Sequence, residues 1–112
     1  MLVIKNKEKI IGQSFEDSSG MFWQVVDVQE QQHLSSPCYE FHFDGYRKVF
    51  FVLKRLPNET SEIVEGMYCL EFFNEFKRMS DTKYLNVETI RSLKSLLLTF
   101  RELIDNHYTL PF

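Results

Sequence analysis

Residues 38–56 read CYEFHFDGYRKVFFVLKRL and predict the β-hairpin around which the rest of the fold is arranged. Two runs rich in aromatic and β-branched residues flank Asp44-Gly45. An Asp-Gly pair is typical of a two-residue type I′ turn, because both central positions of that turn need positive φ. Such a turn fixes the register, in which the facing pairs are Phe43–Tyr46, Phe41–Lys48 and Tyr39–Phe50.

This register divides the hairpin into two faces, because successive side chains of a strand point to opposite sides. One face is aromatic and needs cover from the rest of the chain: Tyr39, Phe41, Phe43, Tyr46, Phe50 and Val52, with Lys48 and Lys54 between them. The other face carries Cys38, Glu40, His42, Arg47, Val49, Phe51, Leu53 and Arg55.

The composition suits one globular domain over residues 1–112, since 44% of the residues are hydrophobic and 15% are aromatic. No apolar run reaches the roughly 20 residues that a membrane helix needs. The N-terminal MLVIKNKEKIIG is too charged for a signal peptide, so we expect a cytoplasmic protein without membrane association. In that reducing compartment, Cys38 and Cys69 are expected to be buried free thiols.

Upstream of the hairpin, the sequence predicts short strands over residues 1–5, 10–15 and 21–29. Residues 16–20 form a loop by composition, and residues 30–37 form a polar connection. In the strand over 21–29, alternation places Phe22, Val26 and Val28 on one side. The other side then carries Trp23, Val25 and Asp27.

Downstream of Pro57 the sequence predicts one or two helices. Residues 62–79, EIVEGMYCLEFFNEFKRM, fit a helix from about Glu65, and residues 80–85 then form a connector. A strand is the alternative, because Tyr68, Leu70 and Phe72 alternate with Cys69, Glu71 and Phe73. Asn86 is a favoured N-cap for the last helix. An amphipathic stripe follows it, formed by Ile90, Leu93, Leu97, Phe100 and Ile104.

These elements predict an α+β fold. An antiparallel β-meander of four or five strands in the N-terminal half is covered by one or two C-terminal helices.

The charges are unevenly distributed within a net charge of −3. Between Lys9 and Arg47 the sequence contains no Lys or Arg. The acids of that stretch are Glu16, Asp17, Asp27, Glu30, Glu40 and Asp44. Direct nucleic-acid binding is therefore disfavoured, since it needs a basic surface, whereas a basic protein partner would be attracted.

No recognisable catalytic motif is present: the sequence has no Gly-rich phosphate loop, CxxC pair, HExxH or GxSxG. The nearest cluster is Cys38, Glu40 and His42, which alternation places on one strand face, with Arg47 opposite His42. Thiolate, carboxylate and imidazole can bind zinc or support nucleophilic catalysis. We expect no enzyme activity, cofactor or metal. A small metal- or thiol-dependent enzyme centred on this cluster is an alternative.

The last helix offers a second candidate surface. Leu98 lies off the apolar stripe and is flanked by Arg91, Lys94, Arg101 and Asp105. This surface suits an alternative function, a homo-oligomeric scaffolding subunit or homodimer that assembles through the C-terminal helix.

The sequence thus favours a small non-enzymatic protein-binding module. The most specific hypothesis is an inhibitor or immunity-type protein that neutralises a basic partner, such as a nuclease toxin or a nucleic-acid-handling defence enzyme. The predicted partner-binding residues are Glu16, Asp17, Asp27, Glu30, Glu40 and Asp44, with Trp23 as an anchor if it is exposed.

Overall fold

A six-stranded antiparallel sheet dominates the computed structural model, which describes residues 7–33, 36–55 and 68–108. In chain order the elements of these residues are α1 (Lys7–Ile10), β1 (Ser14–Glu16), β2 (Phe22–His33), β3 (Ser36–Asp44), β4 (Val49–Arg55), β5 (Tyr68–Phe73), β6 (Met79–Leu85), α2 (Val87–Arg91) and α3 (Leu93–Tyr108). Each strand pairs with its neighbours in the chain, in the order β1-β2-β3-β4-β5-β6. The α+β prediction is confirmed, but the predicted count of four or five strands is too low.

Helix α3 covers one face of the sheet through an aromatic cluster. The ring of Phe100 lies 5.1 Å from the rings of Phe41 and Phe43 and 4.7 Å from that of Phe51. We call the covered face the inner face and the opposite face the outer face. The strand residues buried on the inner face include Trp23, Val25, Val28, Phe41, Phe43, Val49, Phe51, Leu53, Leu70 and Phe72.

The turn between β3 and β4 is longer than the sequence predicts, and the predicted register is wrong. Four residues, 45–48, separate β3 from β4, and the first facing pair is Phe43 with Val49, followed by Phe41 with Phe51. The shift is an odd number of residues, which reverses the side to which every β4 side chain points. The two-residue turn would have placed Lys54 under α3, whereas the observed register buries Leu53 there instead.

Gly45 is needed in this turn for space rather than for a positive φ. Neither Asp44 nor Gly45 has a positive φ. A Cβ atom at Gly45 would lie 2.6 Å from the carbonyl oxygen of Phe22 and 2.7 Å from the Trp23 ring. The Asp-Gly pair therefore marks a close approach of the turn to β2.

Several predicted boundaries in the first half also differ from the structure. The helix α1 lies between the first two predicted strands and includes Ile10, the first residue of the second one, and β1 spans only Ser14–Glu16. The polar connection predicted over 30–37 is wrong, because β2 runs to His33 and β3 begins at Ser36. The backbone of this polar stretch pairs regardless of its composition, with Gln31 opposite Cys38 and His33 opposite Ser36. The strand predicted over residues 1–5 lies outside the described residues.

A β-bulge in β2 corrects the predicted faces of that strand. The pairing with β3 shifts between Val25 and Asp27, which leaves Val26 as the extra residue. Val28 therefore joins Trp23 and Val25 on the inner face, while Val26 is exposed. Regular alternation had placed Val28 with Phe22 and Val26.

The helix predicted over residues 62–79 is wrong for the part that the structure describes, and the strand alternative is correct. Tyr68–Phe73 forms β5, in which Leu70 lies opposite Leu53 and Phe72 opposite Phe51. Both side chains are buried on the inner face. The predicted connector over 80–85 lies within β6. Pro57 and the predicted helix start lie outside the described residues.

The last helical segment confirms the predicted N-cap and most of the apolar stripe. The Asn86 side chain accepts a hydrogen bond from the Thr89 backbone N–H at 3.1 Å. Ser92, with φ −111° and ψ 133°, separates α2 from α3. The buried helix residues are Ile90, Leu96, Thr99, Phe100, Leu103 and Ile104, and Leu93 and Leu97 are partly buried. Neither α2 nor α3, nor α1, is long and apolar enough to cross a membrane.

Asp17 and Trp23 form a buried polar contact that closes the loop before β2. Asp17 is 4% exposed and Trp23 is fully buried. The Asp17 carboxylate accepts hydrogen bonds from the Ser19 and Met21 backbone N–H groups at 2.8 and 2.9 Å, and from Trp23 Nε1 at 2.9 Å. The Asp17 carboxylate thus satisfies the single N–H donor of the buried indole, and it is itself part of the core.

We expect the Asp17→Ala variant to lose about 2–3 kcal/mol of unfolding free energy, because the indole N–H becomes buried without a partner. Chemical denaturation monitored by tryptophan fluorescence measures this loss. The matched control is Asp27→Ala, which removes a carboxylate from the outer face and should change the free energy by less than about 0.5 kcal/mol. Equal stability of the two variants would contradict this role of Asp17.

Tyr108 ties the end of α3 to two turns of the sheet. Its ring lies 5.7 Å from that of Trp23, and its hydroxyl donates to Glu75 Oε1 at 3.0 Å. Glu75 also accepts from Arg47 Nε at 2.6 Å, which links the β3–β4 and β5–β6 turns. Burial and the hydrogen bond to Glu75 raise the pKa of Tyr108 to about 12.

The raised pKa predicts a loss of stability in alkali. Because the folded-state pKa of about 12 exceeds the reference value of 10.0, the contribution of Tyr108 is complete below pH 10 and disappears as the pH rises through 12. The unfolding free energy of the natural protein should therefore fall more steeply across this interval than that of Tyr108→Phe. Parallel pH profiles from chemical denaturation would contradict the prediction.

Candidate protein-binding surface

The outer face of β1, β2 and β3 is acidic because the strand register brings four carboxylates to one side. Glu16 lies opposite Phe22, Asp44 opposite Gln24, and Asp27 opposite His42, while Glu40 lies opposite Gln29. These three strands contain no Lys or Arg. The acids that share the outer face are Glu16, Asp27, Glu40 and Asp44.

The one outward-facing cation among the strand residues described is neutralised within the sheet. Lys54 Nζ lies 2.9 Å from Glu71 Oε1, and both residues project from the outer face. The hydrogen bond to Glu71 raises the pKa of Lys54, so the lysine stays charged near neutral pH. The four carboxylates of β1, β2 and β3 therefore make this side of the outer face negatively charged.

An aromatic row crosses the same face. The rings of His42 and Phe50 are stacked at 5.3 Å with an interplanar angle of 19°. Phe50 stacks in turn on Phe73 at 4.6 Å and 3°. Met79, paired with Phe73 in the register, is exposed. Asp27 lies opposite His42 at the other end of the row, so acidic groups border an apolar strip, a combination typical of protein interfaces.

Two further exposed apolar side chains lie at the β2 end of this face. Phe22 is 57% exposed and lies opposite Glu16, and Val26 is exposed at the bulge. Large apolar side chains left in solvent on the same strand add apolar area to this face.

The predicted partner-binding residues divide into three groups in the structure. Glu16, Asp27, Glu40 and Asp44 share the outer face. Glu30 is exposed but occupies an inner-face position opposite Tyr39, whose pKa rises through burial and the nearby Glu30 carboxylate. Asp17 and Trp23 are buried against each other, so neither offers a partner a surface, and the exposure required of Trp23 as an anchor is not met.

Sequence reasoning missed the aromatic row. The predicted hairpin register places Phe50 on the covered face, and the predicted helix over 62–79 includes Phe73, whereas both rings lie on the outer face. The consecutive Phe50-Phe51 pair is the signal that could have revealed it, since adjacent strand residues must point to opposite faces.

Cys38, Glu40 and His42 do lie together on the outer face, as alternation predicts. His42 Nε2 lies 3.2 Å from Glu40 Oε1. Phe50, not Arg47, is opposite His42. Burial and the Glu40 carboxylate raise the pKa of the Cys38 thiol, which favours the protonated form. Within the described residues, no three His, Cys, Asp or Glu side chains are arranged to hold a metal ion.

The two cysteines are buried and free, as the sequence predicts. Lys54 lies opposite Cys38 on one side and opposite Cys69 on the other, so one strand separates the two thiols. Strands two positions apart are about 10 Å from each other, which exceeds the Cα separation of a disulfide. Burial and the Glu71 carboxylate raise the pKa of Cys69.

The second candidate surface, on α3, is less basic than the sequence pattern suggests. Leu98 is 51% exposed and borders a cleft of about 510 Å³ between β6 and α3, which Glu88 and Glu102 also line. Arg91 pairs with Glu88 at 3.0 Å, and Arg101 lies 3.9 Å from Asp105. Lys94 is exposed.

Comparison with known proteins adds no family to these observations. No protein family, curated protein or solved structure matches the chain.

We expect both thiols to react slowly with a disulfide reagent at neutral pH in the folded protein, because the reactive thiolate is suppressed where the pKa is raised. Spectrophotometric titration should detect both thiols at once after unfolding in denaturant. A small unstructured cysteine peptide serves as the control for intrinsic reactivity. Reaction of Cys38 in the folded protein at the rate of that peptide would favour the thiol-enzyme alternative.

Proposed function

We propose that this protein is a non-enzymatic binding module whose outer face contacts a basic protein. The supporting observation is that Glu16, Asp27, Glu40 and Asp44 share one face of strands that carry no Lys or Arg. A surface of one sign steers an oppositely charged partner and aligns it before close contact. The aromatic row of His42, Phe50 and Phe73 supplies apolar area next to these charges.

The more specific proposal is an inhibitor or immunity-type protein that neutralises a nuclease toxin or a nucleic-acid-handling defence enzyme. Such an enzyme has a positively charged cleft that holds phosphates. Carboxylates spaced along neighbouring strands can occupy that cleft in place of phosphates. Charge complementarity and the acidic face support this choice of partner class.

The exposed Leu98 supports the second candidate, a scaffolding subunit that assembles through α3. We rank it lower because two of the three neighbouring cations are already close to acids of the same helical segment. The enzyme alternative at Cys38, Glu40 and His42 ranks below both, since the raised pKa of Cys38 opposes nucleophilic use.

Charge reversal on the outer face tests the proposal. We expect the Asp27→Lys/Glu40→Lys/Asp44→Lys variant to lose its basic partner, with affinity reduced at least about tenfold at low salt. Native lysate is passed over immobilised natural protein and variant, then eluted with about 0.5 M salt, where screening is strong. Mass spectrometry identifies proteins retained only by the natural protein, and calorimetry with the purified partner measures affinity.

The matched control is Glu8→Lys/Glu88→Lys/Glu102→Lys, which changes the net charge equally but places the lysines on helices. It should retain the partner, because the ion pairs of Glu88 and Glu102 are exposed and contribute little to stability. Equal loss in both variants would indicate a nonspecific charge effect. Equal retention in both would overturn the proposal.

A further inference from the structure

The edge of β2 that faces β1 is open along most of its length in the part of the chain that the structure describes. β1 pairs only with residues 22–24. Beyond them, Val25 N donates to Gln13 O at 2.9 Å, and Val25 O accepts from Gly12 N at 2.8 Å. From Val26 to His33, none of the described residues pairs with β2 on this side.

The register identifies the backbone groups that point out of this edge. Val25 directs its N–H and C=O away from β3, where its partner is Phe43. Alternate pairs of an antiparallel ladder share this orientation. The alternate residues of β3 before Phe43 lie opposite Val28, Glu30 and Gln32. These three β2 residues therefore direct their backbone N–H and C=O groups out of the open edge. Gln32 lies opposite Pro37, which has no N–H group. A proline fits at this position because the pair of Gln32 and Pro37 exchanges no backbone hydrogen bonds.

Among the residues that the structure describes, this edge has none of the usual protection against strand addition. Natural edge strands are commonly guarded by lysines, prolines or a covering segment. β2 contains neither Lys nor Pro. At the other edge of the sheet, α3 reaches β6 through Lys83–Glu102 at 2.6 Å and His107–Asp81 at 3.1 Å. In the described part of the chain the two edges are therefore unequal, since β6 carries Lys83 and β2 carries no Lys, and β2 is the better template for an added strand.

We propose that the basic partner adds an extended cationic segment to the open edge of β2, as a seventh strand beside residues 26–33. This inference rests on the proposed function and specifies the form of the partner. The backbone groups of Val28, Glu30 and Gln32 pair with the segment. Alternate side chains of the segment lie over the outer face beside Asp27 of β2, with Glu40 on the next strand, β3, so that cations are favoured there.

Charge distinguishes this occupant from a second copy of the chain. Pairing of two β2 edges would bring Asp27 and Glu30 of both copies together without any cation from β1, β2 or β3. Like charges on facing strands are destabilising. A segment in which Lys or Arg alternates with β-prone residues meets the edge without this repulsion.

The probe is the acetylated and amidated peptide TKVRVKTR, in which cationic and β-prone residues alternate. Two N-methylated forms carry methyl groups either on the Lys and Arg amides or on the Thr and Val amides. Only one set of amides can face β2, because strand residues alternate in direction. We expect one methylated form to lose at least about tenfold in affinity and the other to bind like the parent peptide. Binding is measured by fluorescence anisotropy with the natural protein.

Variants of the protein provide the second arm. Gln32→Pro and Glu30→Pro remove outward N–H groups without removing a β2–β3 hydrogen bond, and proline is tolerated at sheet edges. Both should weaken the peptide about tenfold, whereas the controls Gln32→Ala and Glu30→Gln, which retain the N–H, should bind more tightly than their proline counterparts. Melting temperatures of each pair identify any loss of folding, and the methylated peptides still decide the question if a proline variant unfolds.

The outcomes separate this inference from the proposed function. Equal affinities of the two methylated peptides would overturn edge pairing, while loss of binding by Asp27→Lys/Glu40→Lys/Asp44→Lys would still support an acidic binding face. Absence of peptide binding at low salt would overturn the edge proposal directly, and the lysate comparison would then test the face independently. A concentration-dependent dimer that Gln32→Pro abolishes would identify a second copy as the occupant instead.

Discussion

The insertion of Phe100 among Phe41, Phe43 and Phe51 is the contact on which the arrangement of both sheet faces depends. Strand side chains alternate, so placing these residues under α3 also decides which of their neighbours meet solvent. His42, Phe50 and Lys54 are directed outward for this reason. The acidic and aromatic character of the outer face is thus a consequence of how the core is filled.

Much of the fold is readable from the sequence, and the errors have specific physical causes. The N-cap at Asn86 and the stripe of α3 depend on local pattern, and both are present. The predicted hairpin register is wrong because the Asp-Gly pair indicates only a local preference for a two-residue turn. The longer turn is favoured because it buries Val49, Phe51 and Leu53. The helix predicted over 62–79 failed because a short apolar run fits both periodicities, and pairing of β5 with β4 decides between them.

The candidate surface was predictable in charge but not in composition. The stretch without cations could be read directly, yet the sequence gives no sign that Asp17 is enclosed by the Trp23 indole while Asp27 remains outside. The difference arises because the loop after Asp17 folds around its carboxylate, which accepts hydrogen bonds from the backbone N–H groups of Ser19 and Met21. The aromatic row depends on register across β3, β4 and β5, and is therefore visible only once all three strands are paired.

The pairing of every strand with its neighbour in the chain has a consequence for how the protein folds. Most steps of the sheet close a short loop, the connection over residues 56–67 being the longest, so the entropy cost of closure is small and the meander can form progressively. Contacts of α3 are different in kind: Ser18 Oγ donates to Asp105 at 2.6 Å across 87 residues of chain. During synthesis all six strands would emerge before Phe100, with the inner-face aromatic side chains still uncovered. Docking of α3 is then the step that covers these aromatic side chains and prevents them from promoting aggregation.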